Sequence, residues 1–205
     1  HVRSRRQRQM CIRDSCNLLQ SDSNKISKSS TTELYNQGAY NKKENLVHKI
    51  LGFYTNYLES SKLRYFRLKK GSSILEVGCG KGNFLLNCKK KNFSPYGIDL
   101  NIRVNREVIK NNIPVIESEI NNLINFENFN RKYDGILIWH VLEHIENPKI
   151  FMSQLRRYIH EGSQIIIAVP NSNSLQFKLT KKYWYHLDPF RHYCHFSPKT
   201  LSSII

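Results

Sequence analysis

The amino-acid sequence predicts an α/β fold in which a mostly parallel sheet carries helices on both faces. From residue 72 onward, short apolar runs typical of buried strands alternate with stretches of helical periodicity, and the connections between them are short. Such alternation is typical of parallel sheets. A second observation agrees, because the run from Ile74 to Val77 passes directly into a turn that contains three glycines. At 205 residues, the chain suits one domain with a substantial core.

The first 70 residues divide into three parts by composition. Residues 1–15 contain five arginines and resemble non-native, adapter-derived sequence, so we predict no structural element there. Residues 16–32 are rich in Ser, Asn, Thr and Lys and predict a flexible lead-in. Over residues 33–70, apolar and aromatic side chains recur at helical spacing, which predicts an N-terminal helical cap. The remainder, 71–205, is the predicted α/β domain.

The first predicted strand, 73–77, leads through the glycine turn into a predicted helix over 82–91. The turn lacks a Cβ atom at three alternate positions, Gly78, Gly80 and Gly82. A ligand can therefore approach the backbone closely, and the N-terminus of the helix offers unpaired N–H groups. Glu76 adds a carboxylate at the end of the strand.

The spacing of the glycines favours one kind of cofactor. A dinucleotide fingerprint needs a small residue at position 83, where this chain has Asn83. The negative charge of Glu76 suits a ligand with a cationic amino group better than a pyrophosphate. S-adenosylmethionine fits that description.

A second carboxylate, Asp99, follows the next predicted strand, 95–98. An acid about 20 residues after the glycine turn is typical of a ribose-binding site. The alternative is that Asp99 is only a charge at the start of the predicted helix 102–111; we favour the ribose role.

The later predicted elements are strands 114–117, 133–139 and 163–169, with a helix over 148–160. In parallel sheets, ligands collect beyond the carboxyl ends of the strands. The residues that fall there are Glu76, Asp99, Glu117, Trp139 and His140.

Over residues 72–200 the chain resembles the class I S-adenosylmethionine-dependent methyltransferases, which have a Rossmann-like fold. The resemblance rests on four segments, Ile74 to Phe84, Tyr133 to Pro148 with its Leu-Glu-His motif, Gly162 to Asn171, and Trp184 to Leu201. It implies that S-adenosylmethionine is the cofactor. Glu76, Gly78, Gly80 and Gly82 would line its methionine and sugar side, Asp99 its ribose, Glu119 its adenine, and His140 would pack against it.

The same resemblance indicates histidines on the acceptor side as catalytic candidates. His144 is the first choice for a base near the acceptor, with His192 as a second candidate. The alternative for His144 is a cap at the start of the following helix. His140, Glu143 and His144 also form an H-x-x-E-H pattern. Some quinone-pathway relatives have E-x-x-E-H here and use a metal; because this chain has His140 instead of Glu, we predict no metal site.

The predicted elements stop short of the family's complete pattern. After Leu201, members of the family finish a helix and add two further strands, so we expect a C-terminal truncation with the last two strands missing. The acceptor, the oligomeric state and both true termini stay open.

Composition limits the partners. The formal net charge of +16 would favour polyanion binding, but much of it is scattered Lys, so we predict a solvated surface and make nucleic-acid binding the less favoured alternative. Five cysteines without C-x-x-C spacing indicate neither a zinc ribbon nor a disulfide framework, and a reducing cytoplasm is the expected location. No apolar run reaches bilayer length.

These observations predict a methyltransferase acting on a small molecule or a sugar or lipid precursor, with O-methylation slightly favoured. The alternatives are an RNA or protein methyltransferase that uses the basic surface, and a non-catalytic cofactor-binding protein.

Overall fold

The computed structural model describes residues 57–100, 104, 106–118, 131–188 and 191–205, and the backbone of 10–13 and 18–21. The chain forms two compact units. The first, here called the sheet unit, comprises Asn41–Trp139 and Ser153–Ile167; the second unit comprises His1–Tyr40, His140–Met152 and Ala168–Ile205.

A five-stranded sheet forms the framework of the fold. Its strands are β3 (Ser73–Val77), β4 (Ser94–Asp99), β5 (Val115–Glu117), β6 (Tyr133–Trp139) and β7 (Ile159–Ala168). They lie in the order β5-β4-β3-β6-β7, and the pairs β3–β4, β3–β6 and β4–β5 are parallel. This is the Rossmann-like arrangement, in which the first strand of the sheet is central and the crossover to its other side creates a ligand-binding crevice. The predicted mostly parallel α/β fold is confirmed.

The core of the sheet unit explains why these segments become strands. All five residues of β3 are buried, as expected for a central parallel strand covered on both faces. Helix α1 (Asn83–Lys90) buries Phe84, Leu85 and Cys88 in a cluster with Ile74 and Leu137. A shorter helix, α2 (Arg106–Lys110), adds Val108 to that cluster.

Before the sheet, the structure confirms helical residues over 57–61, which continue as a 3-10 turn, Lys62–Tyr65. The earlier part of the predicted cap, 33–56, lies outside the described residues. None of the helices in the part of the chain that the structure describes has the length and apolar composition needed to cross a bilayer.

The predicted boundaries near residue 160 are wrong, both the end of the helix at 160 and the start of the strand at 163. The helix expected over 148–160 is α3 (Pro148–Leu155), followed by a 3-10 turn and by β7 from Ile159 onward. The reason is pairing with the neighbouring strand. The Nε2 atom of His160 lies 3.1 Å from Oδ1 of Asp134, and Ser163 Oγ donates to the carbonyl of Tyr133 at 2.7 Å. These tertiary hydrogen bonds stabilise extended structure at the start of β7, where the local sequence pattern predicts that the helix continues.

The second unit contains elements that the sequence did not predict. Strand β1 (Met10–Arg13) pairs antiparallel with β2 (Leu18–Ser21), and β2 pairs with β8 (Cys194–His195). The expectation of no element within 1–15 is therefore wrong, and Leu18–Ser21 is a strand within the predicted lead-in. Local patterns miss such strands because the pairing joins opposite ends of the chain. Two short helices, α4 (Leu175–Thr180) and α5 (Pro198–Ser202), complete this unit's described part.

Candidate functional site

The glycine turn after β3 has a backbone that favours glycine at each alternate position. Gly78, Gly80 and Gly82 have φ angles of +75°, +51° and +74°, in the left-handed region where a Cβ atom is strained. The carbonyl of Ile98 accepts hydrogen bonds from the N–H groups of Gly78 and Cys79 at 2.7 and 3.0 Å. The turn is therefore held against the end of β4.

Two of these glycines have different surroundings. A Cβ at Gly82 would lie 2.8 Å from Cγ2 of Val108, so this glycine is also required for packing against α2. A Cβ at Gly80 would meet no atom of the residues that the structure describes within 4 Å, so this side of the turn is open with respect to them. The geometry fits a cradle in which a ligand can approach the backbone at Gly80.

Asp99 lies at the carboxyl end of β4 and contacts the turn directly. Its Oδ2 atom accepts a hydrogen bond from the N–H of Gly80 at 2.7 Å. The pairing register places Asp99 opposite Glu117 at the end of β5. The structure thus brings the second predicted carboxylate to the glycine turn.

Glu76 is only 3% exposed, although it is charged in its ordinary state. Burial raises the pKa of this carboxyl well above its usual value, and the ammonium of Lys62 opposes that effect. The carboxylates of Glu59 and then of Asp99 raise it further, which agrees with Glu76 and Asp99 lying close to one turn. Oε2 of Glu76 has no hydrogen-bond partner among the described residues. Such a buried carboxylate oxygen fits a site whose ligand donates a hydrogen bond to it.

Lys62 is a residue of this site that sequence reasoning missed. It is 7% exposed, and its Nζ atom lies 2.6 Å from Oε2 of Glu59 and 3.9 Å from Oε1 of Glu76. The same atom lies over the ring of Trp139, 5.1 Å from the centroid. The only local signal was the Glu59-x-x-Lys62 spacing, which is common on exposed helices.

Of the other residues predicted to bind the cofactor, the structure describes His140 but not Glu119. His140 follows β6 with a φ of +55°, and its N–H donates to the carbonyl of Ala168 at 2.9 Å. Its Nδ1 lies 3.3 Å from Oε1 of Glu143. Glu119 lies outside the described residues.

His144 and His192, the predicted catalytic residues, come together in the second unit. Their ring centroids are 4.7 Å apart, with the planes nearly perpendicular. Nδ1 of His144 lies 2.8 Å from the carbonyl of Arg191, and Nδ1 of His192 lies 3.1 Å from the carbonyl of His186. Because a carbonyl only accepts, each Nδ1 carries the hydrogen, and each Nε2 carries the lone pair in the neutral ring.

The surroundings of His192 favour the neutral form of its ring. Burial, and then the neighbouring His144, lower the pKa of His192. Glu143 is 2% exposed and completes the cluster; one ligand-type atom from each of Glu143, His144 and His192 lies within 4.8 Å of the others. The cluster can therefore accept a proton, and its atoms are also of the types that bind a divalent cation.

The capping alternative for His144 is wrong. Helix α3 begins at Pro148, and the side chain at its N-terminal end that accepts a backbone hydrogen bond is Asn147, whose Oδ1 bonds to the N–H of Ile150 at 3.3 Å. His144 lies earlier, in a 3-10 turn, and its ring bonds to Arg191 instead.

Comparison with known proteins agrees with this geometry. The family described as "Methyltransferase domain" matches residues 51–205. The ubiquinone biosynthesis O-methyltransferase of Dictyostelium discoideum is 27% identical over 123 residues, which are 53% of this chain and 38% of that protein. The chain thus spans less than half the length of this relative.

Solved structures show the same fold. A SAM-dependent methyltransferase from Archaeoglobus fulgidus is 25% identical, with a TM-score of 0.54, covering 87% of this chain and 72% of that one. The plantazolicin methyltransferase BpumL, in complex with SAH, is 26% identical, with a TM-score of 0.55, covering 73% and 62%. Together with the left-handed glycine turn and its two carboxylates, these matches show that the chain belongs to the class I S-adenosylmethionine-dependent methyltransferase family.

Proposed function

We propose that this chain is an S-adenosylmethionine-dependent methyltransferase that acts on a small molecule or on a sugar or lipid precursor, with O-methylation slightly favoured. The observation that carries the proposal is the joining of Asp99 to the glycine turn, one strand away from the buried carboxylate of Glu76. Few ligands need a Cβ-free turn between two carboxylates, and a nucleoside with a cationic amino-acid tail is one of them.

The two carboxylates beside the turn have different parts in the proposed binding. The carboxylate of Glu76 would accept from the ammonium group of the cofactor through Oε2, which has no partner within the described part of the chain. Asp99 would accept from the ribose hydroxyls. When bound, the cofactor supplies an activated methyl group on a sulfonium. The protein then needs chiefly to hold the acceptor in line with that group.

A base is needed when the acceptor is a hydroxyl or a phenol. His144 and His192 suit this role, because the carbonyls of Arg191 and His186 fix Nδ1 as the protonated atom of each ring. Burial favours the neutral, proton-accepting form of His192. Similarity to an O-methyltransferase of ubiquinone biosynthesis supports oxygen as the acceptor atom.

The decisive experiment combines calorimetry with a methyl-transfer assay. S-adenosylmethionine and S-adenosylhomocysteine are titrated into the purified chain and into Asp99→Ala, with Glu107→Ala as a matched control because Glu107 is an exposed acid paired with Lys110. Radiolabelled methyl transfer is then measured with a panel of catechols and phenols, and separately with RNA and a protein extract. Binding without turnover on any acceptor would contradict catalysis, and turnover on RNA or protein would contradict the small-molecule assignment.

A further inference from the structure

The second unit carries an exposed apolar surface that methyl transfer does not explain. Four large hydrophobic side chains are more exposed than any other in the part of the chain that the structure describes: Leu175 at 71%, Leu179 at 74%, Tyr183 at 75% and Tyr185 at 85%. All four fall within the short segment 175–185, here called the 175–185 patch. Scattered apolar residues are normal on a protein surface, but a concentration of this kind marks a contact site.

The exposed orientation of the patch is fixed by the packing of the opposite side. Phe177 and Trp184 meet edge to face, with ring centroids 5.2 Å apart, and Trp184 is 2% exposed. The indole N–H of Trp184 donates to Oε1 of Gln176 at 3.2 Å, and Ser174 caps α4 by accepting from the N–H of Phe177. Because these contacts anchor one side of the segment, Leu175 and Leu179, one helical turn apart, point outward together.

The charge of the patch indicates its partner. Lys178, Lys181 and Lys182 are exposed and lie among the apolar side chains. No Asp or Glu occurs anywhere from Gly162 to Leu187. Lys178 shares the face of Leu175 and Leu179, so the same surface offers aliphatic groups for insertion and ammonium groups for anions.

We propose that the 175–185 patch docks on an anionic lipid surface. Leucines would enter the boundary between headgroups and acyl chains, tyrosines would lie at the headgroup level, and lysines would pair with lipid phosphates. A nucleic acid would also match the lysines and the tyrosine rings, but phosphates and bases offer nothing to Leu175 and Leu179. The proposal concerns a surface contact, is independent of the proposed catalytic activity, and needs no membrane-spanning segment.

The test is co-sedimentation of the chain with vesicles of neutral phosphatidylcholine and with vesicles that also contain phosphatidylglycerol, at low and high salt. We expect binding to the anionic vesicles, weakened by salt. The double variant Leu175→Ser/Leu179→Ser and the triple variant Lys178→Gln/Lys181→Gln/Lys182→Gln are each expected to lose about tenfold or more in vesicle affinity. Melting temperatures check that all variants are folded.

Matched control variants remove the same types of side chain from surfaces outside the 175–185 patch. Ile109→Ser/Ile150→Ser removes two exposed aliphatic side chains, and Lys89→Gln/Lys90→Gln/Lys91→Gln removes three exposed lysines from another surface. Both controls are expected to bind vesicles like the unaltered chain. Equal losses in patch and control variants would overturn the proposal, as would failure to bind anionic vesicles.

Two further outcomes would assign the patch to another partner and overturn the proposal. If the leucine variant changes the oligomeric state in sedimentation velocity and vesicles are not bound, a second copy of the chain covers the patch. If a labelled RNA binds more tightly than the vesicles, and only the lysine variant weakens that binding, the patch serves nucleic acid.

Discussion

The carboxylate of Asp99 accepts a hydrogen bond from the backbone N–H of Gly80 at 2.7 Å. Asp99 ends β4 and Gly80 follows the neighbouring strand β3, so this contact joins the two hydrogen bonds to the carbonyl of Ile98 in holding the turn against the end of β4. In the proposed site, the same carboxylate orders the cradle and accepts from the ribose.

Asp99→Ala is therefore expected to lose S-adenosylmethionine affinity by about 10- to 100-fold while staying folded, since hydrogen bonds to a charged group are worth about 1.5–3 kcal/mol. Asp99→Asn keeps an oxygen that can accept from Gly80 and is expected to lose less. Calorimetry gives both affinities. Unchanged affinity in Asp99→Ala would discredit the assignment of the cofactor site.

Lys62 controls the charge of Glu76 in this site. Burial raises the pKa of Glu76, and the ammonium of Lys62 lowers it, so Lys62→Met is expected to raise that pKa further. At a given pH, less of Glu76 is then ionised. Cofactor affinity should fall, and the midpoint of its pH dependence should move to higher pH, in calorimetric titrations over a pH series. Lys62→Arg keeps the charge and serves as the control; an unshifted midpoint in Lys62→Met would contradict the coupling.

Alanine substitutions at Gly80 and Gly82 are expected to lower the free energy of unfolding by different amounts. Gly80→Ala adds only backbone strain of about 1 kcal/mol, because its φ is positive but the space is open. Gly82→Ala adds strain and a clash with Val108, so its loss in the free energy of unfolding is expected to be larger, about 2–3 kcal/mol. Urea denaturation measures both. The double variant Gly82→Ala/Val108→Ala removes the clashing methyl and should show less than the sum of the single losses; simple additivity would rule the clash out.

His195 makes stability depend on pH. It is 4% exposed, and burial lowers its pKa to about 4. The folded state therefore keeps the ring neutral while the unfolded chain protonates it below its ordinary pKa of 6.5. The contribution to stability is fully present above pH 6.5 and is lost as pH falls from 6.5 towards 4, by at most about 3 kcal/mol. Urea midpoints over that range should show a shallower decline in His195→Phe, and an equal decline would contradict this role.

Variants of His144 and His192, together with metal chelation, test whether this pair acts as a base or binds a metal ion. His144→Gln and His192→Gln are each expected to lower kcat by about 10²- to 10⁴-fold, with unchanged S-adenosylmethionine affinity. As a base needs no cation, activity should survive dialysis against EDTA. Loss of activity on chelation, with recovery on adding Mg²⁺ or Zn²⁺, would instead make Glu143, His144 and His192 metal ligands.

Local sequence predicted the sheet unit well where strand and turn patterns are strong. The run 73–77 and the glycines after it are specified by burial and by backbone conformation, both of which depend on the residues themselves. The region after α3 was predicted less well, because hydrogen bonds from His160 and Ser163 to β6 decide where β7 begins. The strand Met10–Arg13 was missed for a similar reason, since its sheet is completed near the other end of the chain.

By itself, the sequence determined the glycine cradle and the carboxylates at its edges, because left-handed turns demand glycine and parallel strands bring their ends together. Only the tertiary structure decided that the ammonium of Lys62 lies 3.9 Å from the carboxylate of Glu76 and that His192 lies against His144. These partners are separated along the chain, and no periodicity records which distant side chains meet. Their pairing depends on how the packed elements place one charge or one ring beside another.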